Sequence, residues 1–256
     1  MLYLYAIIDR PRAQIALPRG VEDATPEILA FDEFSVVASS LGNAPQRDNA
    51  AIRSHMNVLS ALMPQCTVLP VRFGTVFPAF DDLSRSVSDM RSGLLADLLR
   101  LQGQLELGVC VTARGTPPLP TTAPDGVDAD QASDFVPGPG FRYIAGKRRE
   151  HDERLCERRA KEVLAERVCA PFATIASEQV WHALPSSAGR GISAAFLVRR
   201  ERFAAFQLTV ARLRRTEPDL DILCTGPWPP FTFVGNGART FTEGAAHAAI
   251  ASRIPY

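Results

Sequence analysis

The sequence predicts a two-domain α+β protein, and three observations carry that reading. Short apolar, β-branched runs alternate with longer stretches whose apolar residues recur every three or four positions. Between Arg114 and Gly140, prolines 117, 118, 120, 124, 137 and 139 and aspartates 125, 128, 130 and 134 erase any hydrophobic period. Beyond that stretch, the elements follow in the order α-β-β-α-β. A structureless segment of this length is unusual inside one compact domain. The expected division is an N-terminal α+β domain over 1–113, a Pro/Asp-rich linker over 114–140, and a C-terminal domain over 141–256.

In the first domain, Leu2–Ile8 reads as a buried strand and Phe34–Ser39 as another. Arg47–Met63 reads as a helix, with Ile52, His55, Met56, Leu59, Leu62 and Met63 on one stripe and Pro64 stopping it. Thr67–Val71 is a short β-branched strand closed by Pro70 and a turn at Gly74. Asp81–Gln104 reads as one helix, since Leu83, Val87, Met90, Leu94, Leu98 and Leu101 step by three or four. Leu105–Thr112 is the strand after it. Strands with two helices on one sheet face make an α+β sandwich.

In the second domain, a long helix is expected from Phe141 to Ser177, kinked at Pro171. Lysines, arginines and carboxylates interleave along Lys147–Arg167, which suggests a solvated surface laced with weak ion pairs. Strands Gln179–Leu184 and Ile192–Arg199, a helix Arg202–Arg215 and a strand Asp219–Thr225 complete the order. This is a modified ferredoxin-like arrangement in which one strand is missing or altered.

Composition narrows the function. Lys+Arg 28 against Asp+Glu 28 leaves a net charge of zero, so no bulk field draws the chain to nucleic acid or to an anionic lipid membrane. Only Lys147 and Lys161 are lysines; every other basic residue is arginine. The five cysteines and four histidines are scattered without C-x-x-C or other ligand spacing, which predicts reduced thiols, no metal and no disulfide framework. The apolar start ends at Asp9, too early for a membrane span or a signal peptide. The chain is expected to be soluble and cytoplasmic.

No phosphate loop, dinucleotide fingerprint, H-E-x-x-H or G-x-S-x-G is present, so no cofactor and no catalytic residue is assigned. His55, on an apolar stripe, reads as a core histidine with both ring nitrogens bonded; a pH switch or a base is the rival reading. Two segments stand out. Thr67–Phe77 ends a strand in Arg72-Phe73-Gly74-Thr75, placing a cation beside an aromatic at a tight turn. Arg72 is read as a buried, structurally paired arginine, with an anion-holding role as the alternative. Thr225–Val234 carries Pro227, Pro229 and Pro230, which argue for an extended segment presenting Trp228, Phe231 and Phe233. Packing is expected for at least two of those aromatics, and Trp228 is expected to help clamp the tail.

The opening Leu-Tyr-Leu-Tyr-Ala-Ile-Ile, the helix string Arg53–Leu59, Val68-Leu-Pro-Val-Arg-Phe-Gly-Thr-Val-Phe77 and Thr225-Gly-Pro-Trp-Pro-Pro-Phe-Thr-Phe-Val234 together resemble the gas vesicle protein F/L family. Phe231-Thr-Phe stands where that family commonly has Tyr-Ser-Phe. The resemblance implies a two-domain α+β fold and a non-enzymatic role in gas vesicle formation, as a minor component or assembly factor located at the vesicle. It implies partners as well: the hydrophobic main shell protein and other gas vesicle accessory proteins. Arg72, Phe73, Gly74, Thr75, Trp228, Pro229, Phe231 and Phe233 are its motif residues here and the candidates for interaction, and it does not separate the F from the L member. The rival classes are a ferredoxin-like small-molecule enzyme and a nucleic-acid-binding module.

Overall fold

The computed structural model describes residues 1–10, 15–114, 139–185 and 191–235. β1 (Leu2–Asp9) is buried along almost its whole length, as an unbroken apolar run requires of a strand covered on both faces. It lies inside a five-stranded sheet of order β2-β3-β1-β4, in which β5 also pairs with β1. β3 (Phe34–Ser40) runs antiparallel to β1 with Tyr3 opposite Ser39 and Ile7 opposite Val36, and the register shifts between Leu4 and Ala6. β4 (Val68–Pro70) lies on the other side, Ile7 opposite Leu69. Two short strands were not expected: β2 (Glu27–Ala30), only half-buried, and β5 (Val76–Phe77). Neither is long enough to show a period.

α1 (Asn49–Leu62) starts at Asp48, whose carboxylate accepts the Ala51 N–H at 2.7 Å, and buries His55, Val58, Leu59 and Leu62. The single helix expected over Asp81–Gln104 is two: α2 (Phe80–Asp89) and α3 (Arg91–Arg100), broken at Met90 with φ −100° and ψ 2°. Ser88, Asp89, Ser92 and Gly93 flank the break, and all favour turns over helix interiors. The apolar face survives the break, since Leu83, Val87, Leu94, Leu98 and Leu101 are all buried. Hence the sandwich carries three helices rather than two.

β6 (Gln104–Ala113) leads out of this region. α4 (Pro139–Cys169) then ends two residues before Pro171, and a 3-10 turn Ala170–Phe172 follows. Pro171 therefore follows the helix end instead of kinking a helix that continues to Ser177. On the exposed part of α4, Lys147–Glu150 and Arg158–Glu162 pair at 2.9 and 3.0 Å, while the buried Lys161 pairs with Glu157 at 2.8 Å and donates to the Leu184 carbonyl at 3.1 Å. Packing begins near its C-terminus with Leu164, Ala165, Val168 and Cys169. β7 (Ala176–Ala183), β8 (Gly191–Arg199), α5 (Phe203–Thr216) and β9 (Leu220–Trp228) follow.

The second sheet has order β7-β8-β6-β9. With β6 included, the run β6-α4-β7-β8-α5-β9 is the full β-α-β-β-α-β set of a ferredoxin-like fold. The strand thought missing is β6, which the sequence reading had assigned to the N-terminal domain. β9 also runs past Thr225 through Gly226 and Pro227 to Trp228. It can do so because it is an edge strand, where a proline's missing N–H costs no ladder bond.

Two compact units divide the chain. One takes Met1–Leu107, Phe196–Phe203 and Thr225–Tyr256; the other takes Gly108–Ala195 and Ala204–Cys224. The first is built on Tyr3, Tyr5, Leu4, Ile7, Ile8, Phe34 and Leu59, and the second includes the Phe172–Phe206 ring pair at 4.5 Å. These boundaries fall within β6, β8 and β9 and so differ from the expected 1–113 and 141–256. Most of the expected 114–140 linker lies outside the described residues.

Candidate functional site

Each of the two marked segments is held by buried polar side chains. In the first, β4 ends at Pro70 and Val71 donates its N–H to the Tyr5 carbonyl at 2.9 Å. The chain then turns: Thr75 N and Thr75 Oγ1 both donate to the Arg72 carbonyl, at 3.3 and 2.9 Å. Gly74 occupies the third position of this turn with φ +90°, a conformation that a side chain disfavours. The Thr75 carbonyl accepts from Leu4 N at 3.0 Å, which ties the turn back to β1.

Beneath the turn sits His55, 1% exposed. Its Nδ1 lies 2.8 Å from the Tyr3 hydroxyl and its Nε2 lies 3.1 Å from the Val71 carbonyl. A carbonyl can only accept, so Nε2 carries the proton and Nδ1 accepts from Tyr3. The Tyr3 oxygen accepts in turn from Gly74 N at 3.4 Å. Tyr5 stacks on the imidazole at 5.4 Å, while Phe73 and Tyr3 meet it edge-on at 5.8 and 5.7 Å. Burial pushes the imidazole down to about 4, against the Val71 bond, which acts the other way. It pushes the Tyr3 and Tyr5 phenols up. The expected core histidine is therefore present, neutral and satisfied at both nitrogens.

Arg72 does not fit its expected role. Its side chain is exposed, and among the described residues no carboxylate is ion-paired with it. The turn uses its carbonyl instead, leaving the guanidinium at the surface beside half-buried Phe73.

The second segment is a strap. Pro229, Pro230, Phe233 and Val234 are buried, Phe231 is half-buried, and Trp228 remains 41% exposed. Two buried carboxylates hold it. Glu106 on β6 accepts from Thr232 N at 2.8 Å and from Thr232 Oγ1 at 2.7 Å. Asp97 on α3 accepts from Gly235 N at 2.8 Å and from Arg100 at 2.9 Å, and Arg100 also donates to the Phe233 carbonyl. Burial raises the Glu106 carboxyl above its ordinary range, with both Thr232 bonds opposing. Gly235 is needed where it is, because a Cβ there would lie 2.9 Å from the Asp97 carboxylate. The clamp is thus Phe233, the two prolines and the carboxylates. Trp228, expected to share in it, is too exposed for that.

Sequence reasoning missed Asp97 and Glu106, although both left a signal. Asp97 interrupts the stripe Leu94, Leu98, Leu101, and Glu106 is the lone charged residue in a mostly apolar strand. A charge in such a position is expected to be paired or hydrogen-bonded.

In both segments buried titratable groups bond to backbone and to neighbouring side chains, and so fix a surface turn and a surface strap on an α+β fold. The family model of the gas vesicle synthesis proteins GvpL/GvpF matches residues 1–235, and the chain belongs to that family. It is 27% identical over 238 residues to gas vesicle protein F2 of Halobacterium salinarum, covering 91% of each chain. Against gas vesicle protein L of a Streptomyces species it is 29% identical over 255 residues, covering 91% of this chain and 92% of the relative. The crystal structure of GvpF from Anabaena sp. PCC7120 superposes with a TM-score of 0.71 at 20% identity, over 91% of this chain and 98% of the other. GvpF from Microcystis aeruginosa gives 0.68 at 18% identity, with the same coverage. No helix among the described residues is long and apolar enough to cross a membrane.

Proposed function

We propose that this protein is a non-enzymatic assembly factor or minor component of gas vesicles, resident in the cytoplasm and at the vesicle, that binds the hydrophobic main shell protein during vesicle formation. Trp228 is the observation that carries the reading. It stands 41% exposed between exposed Pro227 and buried Pro229, on backbone already fixed by the strap. An aromatic held rigidly at a surface costs little conformational entropy on docking and is a common binding hot spot. A shell subunit with one very apolar face would aggregate before insertion, and a soluble partner that covers that face delays aggregation. Recognition by apolar contact also suits a chain of zero net charge. Arg72, Phe73, Gly74 and Thr75 form the second contact candidate.

The test is co-precipitation of this protein with the co-expressed main shell protein, using RNA and ATP as competitors. The shell protein should come down whether or not either competitor is present. Failure to recover it, or displacement by RNA, would remove the reading in favour of a nucleic-acid module.

We further propose that the 114–140 segment is the most protease-sensitive part of the molecule. Its prolines, aspartates and small polar residues offer little to bury. Limited proteolysis should cut first within it, and the fragments should stay together, since β6 lies between β8 and β9 in one sheet. First cleavage within 40–110 would contradict this.

A further inference from the structure

The two edges of the second sheet are built differently. β9 carries Pro227, which removes a donor, and Asp221, which pairs with Arg114 at 2.6 Å. Proline and charge are the usual means of blunting an edge strand. β7, on the opposite edge, contains no proline, and its one acidic or basic residue besides His182 is Glu178. Every residue from Ser177 to Ala183 is exposed, whereas its neighbour β8 is mostly buried. A strand that has joined a sheet normally buries one face; β7 buries neither.

Alternation divides its side chains. Trp181 and Ala183 face α4, where they line a cleft with Arg154, Glu157, Arg158 and Lys161. Glu178, Val180 and His182 share the other face. That second set reads the same in an antiparallel partner. If two β7 strands lie antiparallel about Val180, valine meets valine, and each Glu178 faces the His182 of the second copy. The carboxylate accepts from an imidazole N–H twice over, on either side of an apolar pair, and directly opposed pairs of this kind are what stabilise a sheet. Across the other face, Trp181 meets Gln179. Glu178 also interacts within its own chain, and a carboxylate has lone pairs enough for both.

We propose that β7 is a self-pairing edge through which two copies of this chain form a two-fold dimer with a continuous eight-stranded sheet. The blunted β9 belongs to the same design. Pairing of β7 with β9 of another copy would be head-to-tail and would build a ring or an open filament, whereas β7 with β7 closes after two copies. The proposal is independent of the Trp228 reading and can stand or fall without it.

Sedimentation equilibrium of the full chain over a wide concentration range tests it, with far-UV circular dichroism verifying that each variant is folded. The wild type should associate to a dimer and no further. His182→Glu sets carboxylates against one another and should weaken the dimer at least ~10-fold. The exchange Glu178→His with His182→Glu restores the complementary pairs and should return the dimer constant to within ~3-fold of wild type. A wild type that stays monomeric throughout, a His182→Glu variant that dimerises like the wild type, or an exchange that fails to restore association would each overturn the proposal.

Discussion

His55→Ala should destabilise the fold by roughly 3–5 kcal/mol, because it opens a cavity and also strands two buried polar groups. The side chain is 1% exposed, and its loss leaves the Tyr3 hydroxyl and the Val71 carbonyl without their partner. A melting temperature lower by of order 10 °C at neutral pH is the expected reading. The same residue predicts an acid dependence. With the folded imidazole lowered to about 4 and the unfolded one near its ordinary 6.5, the unfolded chain binds a proton that the folded one refuses between those values. Stability is therefore complete above about pH 6.5 and falls as the pH drops toward 4, by roughly 3 kcal/mol in all from this group. The difference between wild type and His55→Ala should shrink over that window. Two pH profiles that run parallel from 7 to 4 would contradict the buried neutral histidine.

Phe233→Ala should cost about 3–5 kcal/mol, whereas Trp228→Ala should cost no more than ~1 kcal/mol. The contrast rests on position along the strap, since Phe233 is 5% exposed and Trp228 is 41% exposed. Phe233 lies between Thr232, bonded to Glu106, and Gly235, bonded to Asp97, so its ring and both flanking anchors fasten one stretch of chain. Chemical denaturation of the two variants side by side measures the difference. Equal losses would mean that the strap is fastened through the tryptophan.

What the sequence showed clearly was whatever a period could carry. β1, β3, α1, β8 and α5 were expected within a few residues of where they stand, because each buries a long apolar run or stripe. β2 and β5 were invisible because four and two residues cannot establish alternation. The break at Met90 was hidden because the buried stripe passes straight over it, and the turn-forming residues beside it, Ser88, Asp89, Ser92 and Gly93, went unread. β6 could be read as a strand but not assigned to its sheet, since pairing between distant strands leaves no local mark.

The same limit governed the site. The family strings located the turn and the strap, and His55 was correctly read as buried and bonded. Which side chains faced inward depended on contacts across more than a hundred residues, such as Glu106 with Thr232 and Asp97 with Gly235. Those contacts made Phe233 the clamp and left Trp228 and Arg72 at the surface, where the sequence had suggested buried roles.

The proposed role of Trp228, the exposed aromatic of the strap, is to dock the main shell protein. Titrating the main shell protein against wild type and Trp228→Ala, with the melting temperature taken on the same samples, tests it most directly. The account predicts an affinity lower by at least ~30-fold, the size of an aromatic hot spot of about 2 kcal/mol, in a variant that melts like the wild type. An unchanged affinity in the folded variant would contradict it.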